Sequence, residues 1–199
     1  SNIAAWQISK YLWVADRHNW SRFISVQPCY NALNRSIESE ILPLCRDEGL
    51  GVIPYHVLAG GMLSGKYKRG KPLPGGSRLE VFQIYQDFYY TEYAQRIAEG
   101  FVEAARKRSV TPTQLALAWV LAEPLVTSPI VGVRNLEQFN DVIGGLKVNL
   151  SPEERSKIPS VPPGRWVGKD SVYERDIPPI MDIPGTWDPN KFKSRVRSL

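Results

Sequence analysis

Apolar residues along this chain alternate between two spacings. From Ala4, the positions Ala4, Ile8, Tyr11, Leu12 and Ala15 recur every three or four residues, which predicts a helix to about His18 with Asn2 placed to cap it. Phe23–Val26 is a short β-branched and aromatic run, a strand that Gln27-Pro28 ends because a proline ring removes a ladder donor. Helical spacing returns over Glu38–Glu48, with Ile37, Ile41, Leu44 and Cys45 on one face and Ser36 as its cap. Gly51–Tyr55 is too short and too rich in Val, Ile and Tyr for a helix, and predicts a second strand. Residues 56–90 show no period and are rich in Gly, Pro and aromatics, which predicts a long loop over a site. Helix resumes from Glu92 to Arg108. Thr111-Pro112-Thr113-Gln114 is a capping box opening the apolar helix LALAWVLA. Pro129–Val131 predicts a third strand, Leu136–Leu146 a helix, and Ser151-Pro152-Glu153-Glu154 a second capping box. Beyond Pro159 the pattern is proline-rich and irregular, with Trp166 and Trp187 as candidate anchors.

Strands that alternate with helices predict an α/β fold with a parallel sheet and right-handed crossovers. Three strands are few for so many helices, and a parallel sheet needs cover on both faces. The expectation is therefore a partial architecture whose open edges pair with a missing N-terminal half or with another copy.

Composition narrows the class. With 199 residues, 43% hydrophobic and 23% charged, the chain can bury a core, and no apolar run approaches the roughly 20 residues of a membrane helix. No secretory pattern opens it, so the expected location is cytoplasmic and no membrane partner is expected. Cys29 and Cys45 are expected as buried free thiols, and His18 and His56 have no ligands at zinc spacing. The net charge of +5 arises from 25 basic residues scattered among 20 acids, and only Lys191–Arg197 clusters, so no nucleic-acid partner is expected.

Candidate chemistry gathers at the carboxyl ends of the strands, where α/β folds place their ligands. Those ends are Gln27, Tyr55 with His56, and Gly132 with Arg134, while Ser1-Asn2 stand just before the first helix. Ser, Asn and Gln together offer donors and acceptors for a primary amide, and the Tyr55 ring can stack on an aromatic ligand. Gly60 to Lys66 has the spacing of a nucleotide-hydrolase phosphate loop, but Tyr67 stands where Ser or Thr must bind Mg²⁺, and KRGKPLPGGSR cannot continue a helix. The glycines still permit φ > 0 and close backbone approach to an anion. Arg134 at a helix start is disfavoured by the dipole unless an anion sits between.

SNIAAWQI, SVQPCYN with NRSIESEILPLC, GLGVIPYHVLAGGMLSGKY and PIVGVRNLEQFND, in that order and spacing, resemble the second half of an aldo-keto reductase, in the branch of aryl-alcohol dehydrogenases and potassium-channel β subunits. The resemblance implies a (β/α)8 barrel, with residues 1–159 supplying its C-terminal part and 160–199 an irregular tail. It implies NADP(H) as cofactor and a small aldehyde, ketone or alcohol as substrate. Ser1, Asn2 and Gln27 would hold the nicotinamide carboxamide and Tyr55 would stack on its ring. Leu58, Gly60 and the loop to Lys66 would line the pyrophosphate, with Gly132 beside it, and His56 is expected among the cofactor-binding residues. Arg134 would take the 2′-phosphate, and Gln138 and Asp141 the adenosine end. His56 stands where the family commonly has Ser, and Val142 where an Asn usually meets adenine. The family's catalytic Asp, Tyr, Lys and His come from strands that precede Ser1, so no catalytic residue is assigned and these 199 residues alone are expected to be inactive. The alternative is a non-catalytic nucleotide-binding or assembly module.

Overall fold

The computed structural model describes residues 1–168 of the chain. It opens with helix α1, Ala5–Arg17, which turns Ala5, Ile8 and Leu12 inward. Asn2 does not cap it. Asn2 takes a left-handed backbone at φ +53, and the side-chain carbonyl of Gln7 accepts from the Ala4 amide at 3.3 Å instead.

Strands β1 (Ser25–Val26) and β2 (Gly51–Val52) run parallel, Ser25 opposite Gly51 and Val26 opposite Val52. Both are shorter than the sequence pattern predicts, because neither Pro28 nor Pro54 can donate to the ladder. Pairing resumes past the prolines as a parallel bridge between Cys29 and Tyr55, where the Tyr55 amide donates to the Pro28 carbonyl at 3.0 Å. Between the strands, Ser36–Glu38 forms a separate 3-10 turn, so α2 starts late and spans Ile41–Glu48. The Ser36 hydroxyl is spent on Asn34 Oδ1 at 2.7 Å rather than on capping that helix.

The predicted third strand, Pro129–Val131, is not one. Parallel pairing to the other edge of β2 falls earlier, at Val126 opposite Val52, and then loosens. The Thr127 and Ser128 amides converge on the Val52 carbonyl at 2.8 and 3.4 Å, and Ile130 donates to the Pro54 carbonyl at 2.7 Å. Pro129 removes the donor a regular ladder would need. The result is two short strands and a third parallel segment where three strands were expected.

Residues 56–90 are not a plain loop either. They hold a 3-10 segment, Ala59–Ser64, and two short helices, α3 (Arg78–Val81) and α4 (Gln83–Tyr89), that meet at the extended residue Phe82. Helices of this length are too brief to print a period on the sequence.

The remaining helices follow their caps. Thr91 accepts from the Ala94 amide and starts α5, Glu92–Lys107. The Thr111 and Gln114 side chains exchange bonds with each other's amides at 3.1 and 3.2 Å and start α6, Pro112–Leu121. Every residue from Leu115 to Val120 is buried, as an apolar circumference requires. Asn135 caps α7, Leu136–Gly144, which tightens into a 3-10 turn at Gly145–Lys147. A Cβ on Gly145 would lie 2.6 Å from the Gln114 carbonyl, so glycine is what lets this turn meet α6. Ser151 caps α8, Pro152–Lys157.

A largely buried ion cluster ties α8 to the core. Arg155 lies 4.1 Å from the centroid of the Trp119 ring, donates to the Trp119 carbonyl at 3.1 Å and to Glu38 at 3.2 Å, and also bonds the Tyr30 hydroxyl. Arg35 grips Glu38 through two bonds of 2.9 and 2.8 Å and reaches the Val161 carbonyl. Burial would raise the Glu38 carboxyl, but Arg35, the Tyr30 hydroxyl and Arg155 more than offset it and hold it below 4.5. Past α8, the Val161 and Val167 amides donate to Ala32 and Leu33, and both side chains are buried. Trp166 packs against Phe88 and Tyr89, whereas Trp187 and the basic Lys191–Arg197 stretch lie outside the described residues. Among the described residues no helix is long and apolar enough to cross a membrane.

Candidate active site

The parallel strands deliver their ends to one place. The Ser1 hydroxyl donates to the Gln27 carbonyl at 2.6 Å, just past β1, and the Tyr55 hydroxyl, just past β2, donates to Asn2 Oδ1 at 2.8 Å. Four of the residues singled out from sequence are thus joined through two hydrogen bonds. Asn2 reaches Tyr55 from a backbone that costs an ordinary residue about 1 kcal/mol. Burial pushes the Tyr55 phenol up to about 12, so the ring stays neutral and suits stacking rather than acid catalysis.

Beyond Tyr55 the chain makes a run of left-handed residues. His56 stands at φ +60, Ala59 at +50, Gly60 at +66 and Gly61 at +97. The turn closes through the Ala59 amide on the His56 carbonyl at 2.7 Å and the Gly61 amide on the Leu58 carbonyl at 2.8 Å. Lys66 is exposed and folds back over this turn. Its Nζ lies 3.0 Å from where a Gly61 Cβ would be and 5.0 Å from the centroid of the Tyr67 ring. No helix follows, consistent with the exclusion of a hydrolase phosphate loop.

His56 is surrounded by aromatic rings. Its Nδ1 is 3.2 Å from the Tyr89 hydroxyl and its Nε2 is 3.2 Å from the Tyr85 hydroxyl. Its ring meets Tyr55 edge-on at 4.6 Å. Burial, with a smaller push from the Arg78 charge, lowers His56 to about 4, so the imidazole is neutral near pH 7. Tyr89 in turn touches Cys29 Sγ at 3.2 Å and accepts from Asn31 Nδ2 at 3.4 Å. Cys29 and Cys45 are free and buried as expected, and burial raises both thiols to about 11, which leaves them unreactive.

Past the third parallel segment, Gly132 and Arg134 are exposed. Arg134 precedes the Asn135 cap of α7, its amide donates to Gln138 Oε1 at 3.0 Å, and its guanidinium reaches the Gly76 carbonyl at 3.4 Å. Asp141 faces elsewhere: it accepts from the Thr111 hydroxyl at 2.7 Å and so braces the α6 cap. Val142 is buried, so its side chain offers nothing to a ligand at the surface.

Sequence pattern alone missed Arg78 and Tyr85. Arg78 lies over the Tyr85 ring at 5.2 Å, close to the turn on which Arg134 rests. The spacing of Tyr85 and Tyr89, four apart and therefore on one helical face, was the available signal.

An α/β chain that brings amide-binding side chains, a neutral stacking ring and a glycine turn to its strand ends has the layout of a site for an aromatic, anionic ligand. The family model described as "Aldo/keto reductase family" matches residues 1–162, and the chain belongs to that family of oxidoreductases. "Protein tas" of Escherichia coli K12 is 33% identical over 161 residues, covering 81% of this chain and 46% of that protein. "Uncharacterized oxidoreductase YrpG" of Bacillus subtilis is 32% identical over 165 residues, 82% of this chain and 48% of its own length. "Putative aryl-alcohol dehydrogenase AAD14" of Saccharomyces cerevisiae is 27% identical over 190 residues, 92% of this chain and 50% of its own. The chain spans about half the length of the curated relatives it matches.

Proposed function

We propose that this chain carries the cofactor-binding side of an NADP(H)-dependent reductase that interconverts a small aldehyde or ketone and its alcohol, built as the second half of a (β/α)8 barrel. The observation that carries the reading is the convergence of Ser1, Asn2, Gln27 and Tyr55 at the ends of the parallel strands. Ser1, Asn2 and Gln27 would hold the nicotinamide carboxamide, and the neutral Tyr55 ring would stack against the nicotinamide. Leu58, Gly60 and Lys66 would line the pyrophosphate with Gly132, and Arg134 would take the 2′-phosphate with Gln138 at its side. When bound, the cofactor supplies a hydride to the carbonyl carbon. The Phe88 and Trp166 rings, backed by the buried Tyr89, would wall the carbonyl side and exclude water. No described tyrosine has a lysine partner in the family's catalytic arrangement, so the proton donor would come from the part of the fold that the longer relatives carry. Membership of a reductase family favours this over a non-catalytic nucleotide-binding or assembly module.

Arg134 gives the test. Replacing it by Ala in the full-length protein should weaken NADPH far more than NADH, by about 1–3 kcal/mol for a lost charge-assisted bond. Isothermal titration with both nucleotides measures this, and equal losses would sink the assignment of Arg134 to the 2′-phosphate.

A further inference from the structure

The side chain of His56 has no evident place among cofactor contacts, because both ring nitrogens are already bonded within the protein. Nε2 meets Tyr85 and Nδ1 meets Tyr89, each at 3.2 Å, and the two tyrosines are one turn apart on one face of α4, Tyr89 buried and Tyr85 half-buried. A neutral imidazole has one donor and one acceptor nitrogen, and a hydroxyl can complement either, so the pair is satisfied in both tautomers. The backbone is equally committed. The His56 carbonyl accepts from Asn31 Nδ2 at 2.9 Å, and Asn31 is wholly buried with its own Oδ1 taken by the Leu33 amide at 2.9 Å. His56 holds a left-handed backbone against a cost of about 1 kcal/mol, which persists only where the surroundings over-determine it.

What His56 joins is specific. On one side its ring packs edge-on against Tyr55, the proposed nicotinamide platform. On the other, α4 is seated on the glycine turn. A Cβ on Gly60 would lie 2.9 Å from Tyr85 Cδ1 and 3.4 Å from Tyr89 Cδ2. The same helix carries Phe88, which with Tyr89 meets Trp166 at 5.6 and 5.5 Å. We propose that His56 is a positioning residue that pins the aromatic face of α4 against Tyr55, and so sets the carbonyl side of the site in register with the nicotinamide side. This rests on the reductase reading above; the pinning of α4 itself rests on geometry alone.

Two measurements on the full-length protein separate the two layers. In the first, amide hydrogen exchange is followed over residues 78–90 in the wild type, His56→Asn and Tyr85→Phe. Asn tolerates a left-handed backbone, so His56→Asn removes the ring without adding strain. Exchange over 78–90 should rise about tenfold in His56→Asn, the loss of two neutral hydrogen bonds, and by a smaller factor in Tyr85→Phe. Exchange in α5 and α6 should stay unchanged, which shows that the variants fold. In the second, reduction of 4-nitrobenzaldehyde by NADPH is measured: His56→Asn should raise the KM for the aldehyde several-fold while NADPH affinity stays within about twofold. Unchanged exchange over 78–90 overturns the pinning. Faster exchange with an unchanged aldehyde KM, or an equal loss in NADPH affinity, overturns the assignment to the carbonyl side. A wild type that neither binds NADPH nor reduces the aldehyde refutes the reductase reading and the register with it, while the exchange result still decides the pinning.

Discussion

His56 also links the site to the pH dependence of stability. Its folded value of about 4 lies below the ordinary 6.5, so between these two values the unfolded chain takes up a proton that the folded chain refuses. The stability associated with a neutral His56 is therefore complete above about pH 6.5 and is lost progressively as pH falls toward 4. The facing groups are Tyr55, Tyr85, Tyr89 and Cys29, and the Arg78 charge adds a smaller push; burial dominates. Urea midpoints measured between about pH 7 and pH 5 should decline in the wild type and decline less in His56→Asn, which removes the buried imidazole from that window. Parallel slopes in the two proteins would show that His56 is not held neutral. The lowered Glu38 carboxyl acts in the opposite pH region: its contribution is present above about 4.5 and lost below, which keeps it clear of this window.

Among the elements, α8 is short, has no fully buried residue, and depends on Arg155 for its hold on the core. Removing Arg155 deprives Glu38 of one of two cations, leaves the Trp119 carbonyl without its donor and uncovers the Trp119 ring. Because Arg35 remains on Glu38, Arg155→Ala should cost about 2–4 kcal/mol, toward the lower part of the range for breaking a buried pair. Arg155→Lys should recover less than half, since an ammonium cannot serve Glu38, Glu123 and the carbonyl together. Guanidinium denaturation at neutral pH measures both. The helices that sequence pattern located well are those with a cap chemistry of their own: Thr111 with Gln114, and Ser151 with Glu154, act within four residues and so print directly on the sequence. What it located poorly depends on distant partners. Where the third parallel segment pairs is decided by Val52, and where β1 and β2 lapse is decided by two prolines facing one ladder. The strand-end residues Gln27, Tyr55 and Arg134 were legible because punctuation marks strand ends; the extents of α3 and α4, which carry Arg78 and Tyr85, were not, because four and seven residues are too few to establish a period.

At the scale of the molecule, large apolar side chains stay exposed on several of the described elements. Ile24 beside β1 is 81% exposed, and Leu136, Phe139, Ile143 and Leu146 present a stripe on α7 and its following turn, with Leu136 at 70% and Leu146 at 64%. Trp6 and Trp13 lie two turns apart on the outer side of α1. Such faces seek cover. The 199-residue chain expressed alone should therefore sediment as oligomers or aggregates and show no NADPH-dependent aldehyde reduction, and changing Leu136 and Leu146 to Glu should shift it toward monomer. A monomeric chain with turnover would overturn the inference that catalysis needs the rest of the fold. The central place of α6 has a further consequence, in time rather than in space. Helices α5, α6 and α7 with its turn are neighbours both along the chain and in the fold, so their contacts close short loops, whereas joining Val52 to Val126 closes a long one. The helical stack should accordingly form before the sheet. Stopped-flow refolding of Leu115→Ala should show a slowed folding limb, while Val52→Ala should leave that limb nearly unchanged and steepen its effect on unfolding instead. On that ordering, the strand ends that carry the candidate site are the last part of the chain to take shape and the first to be lost.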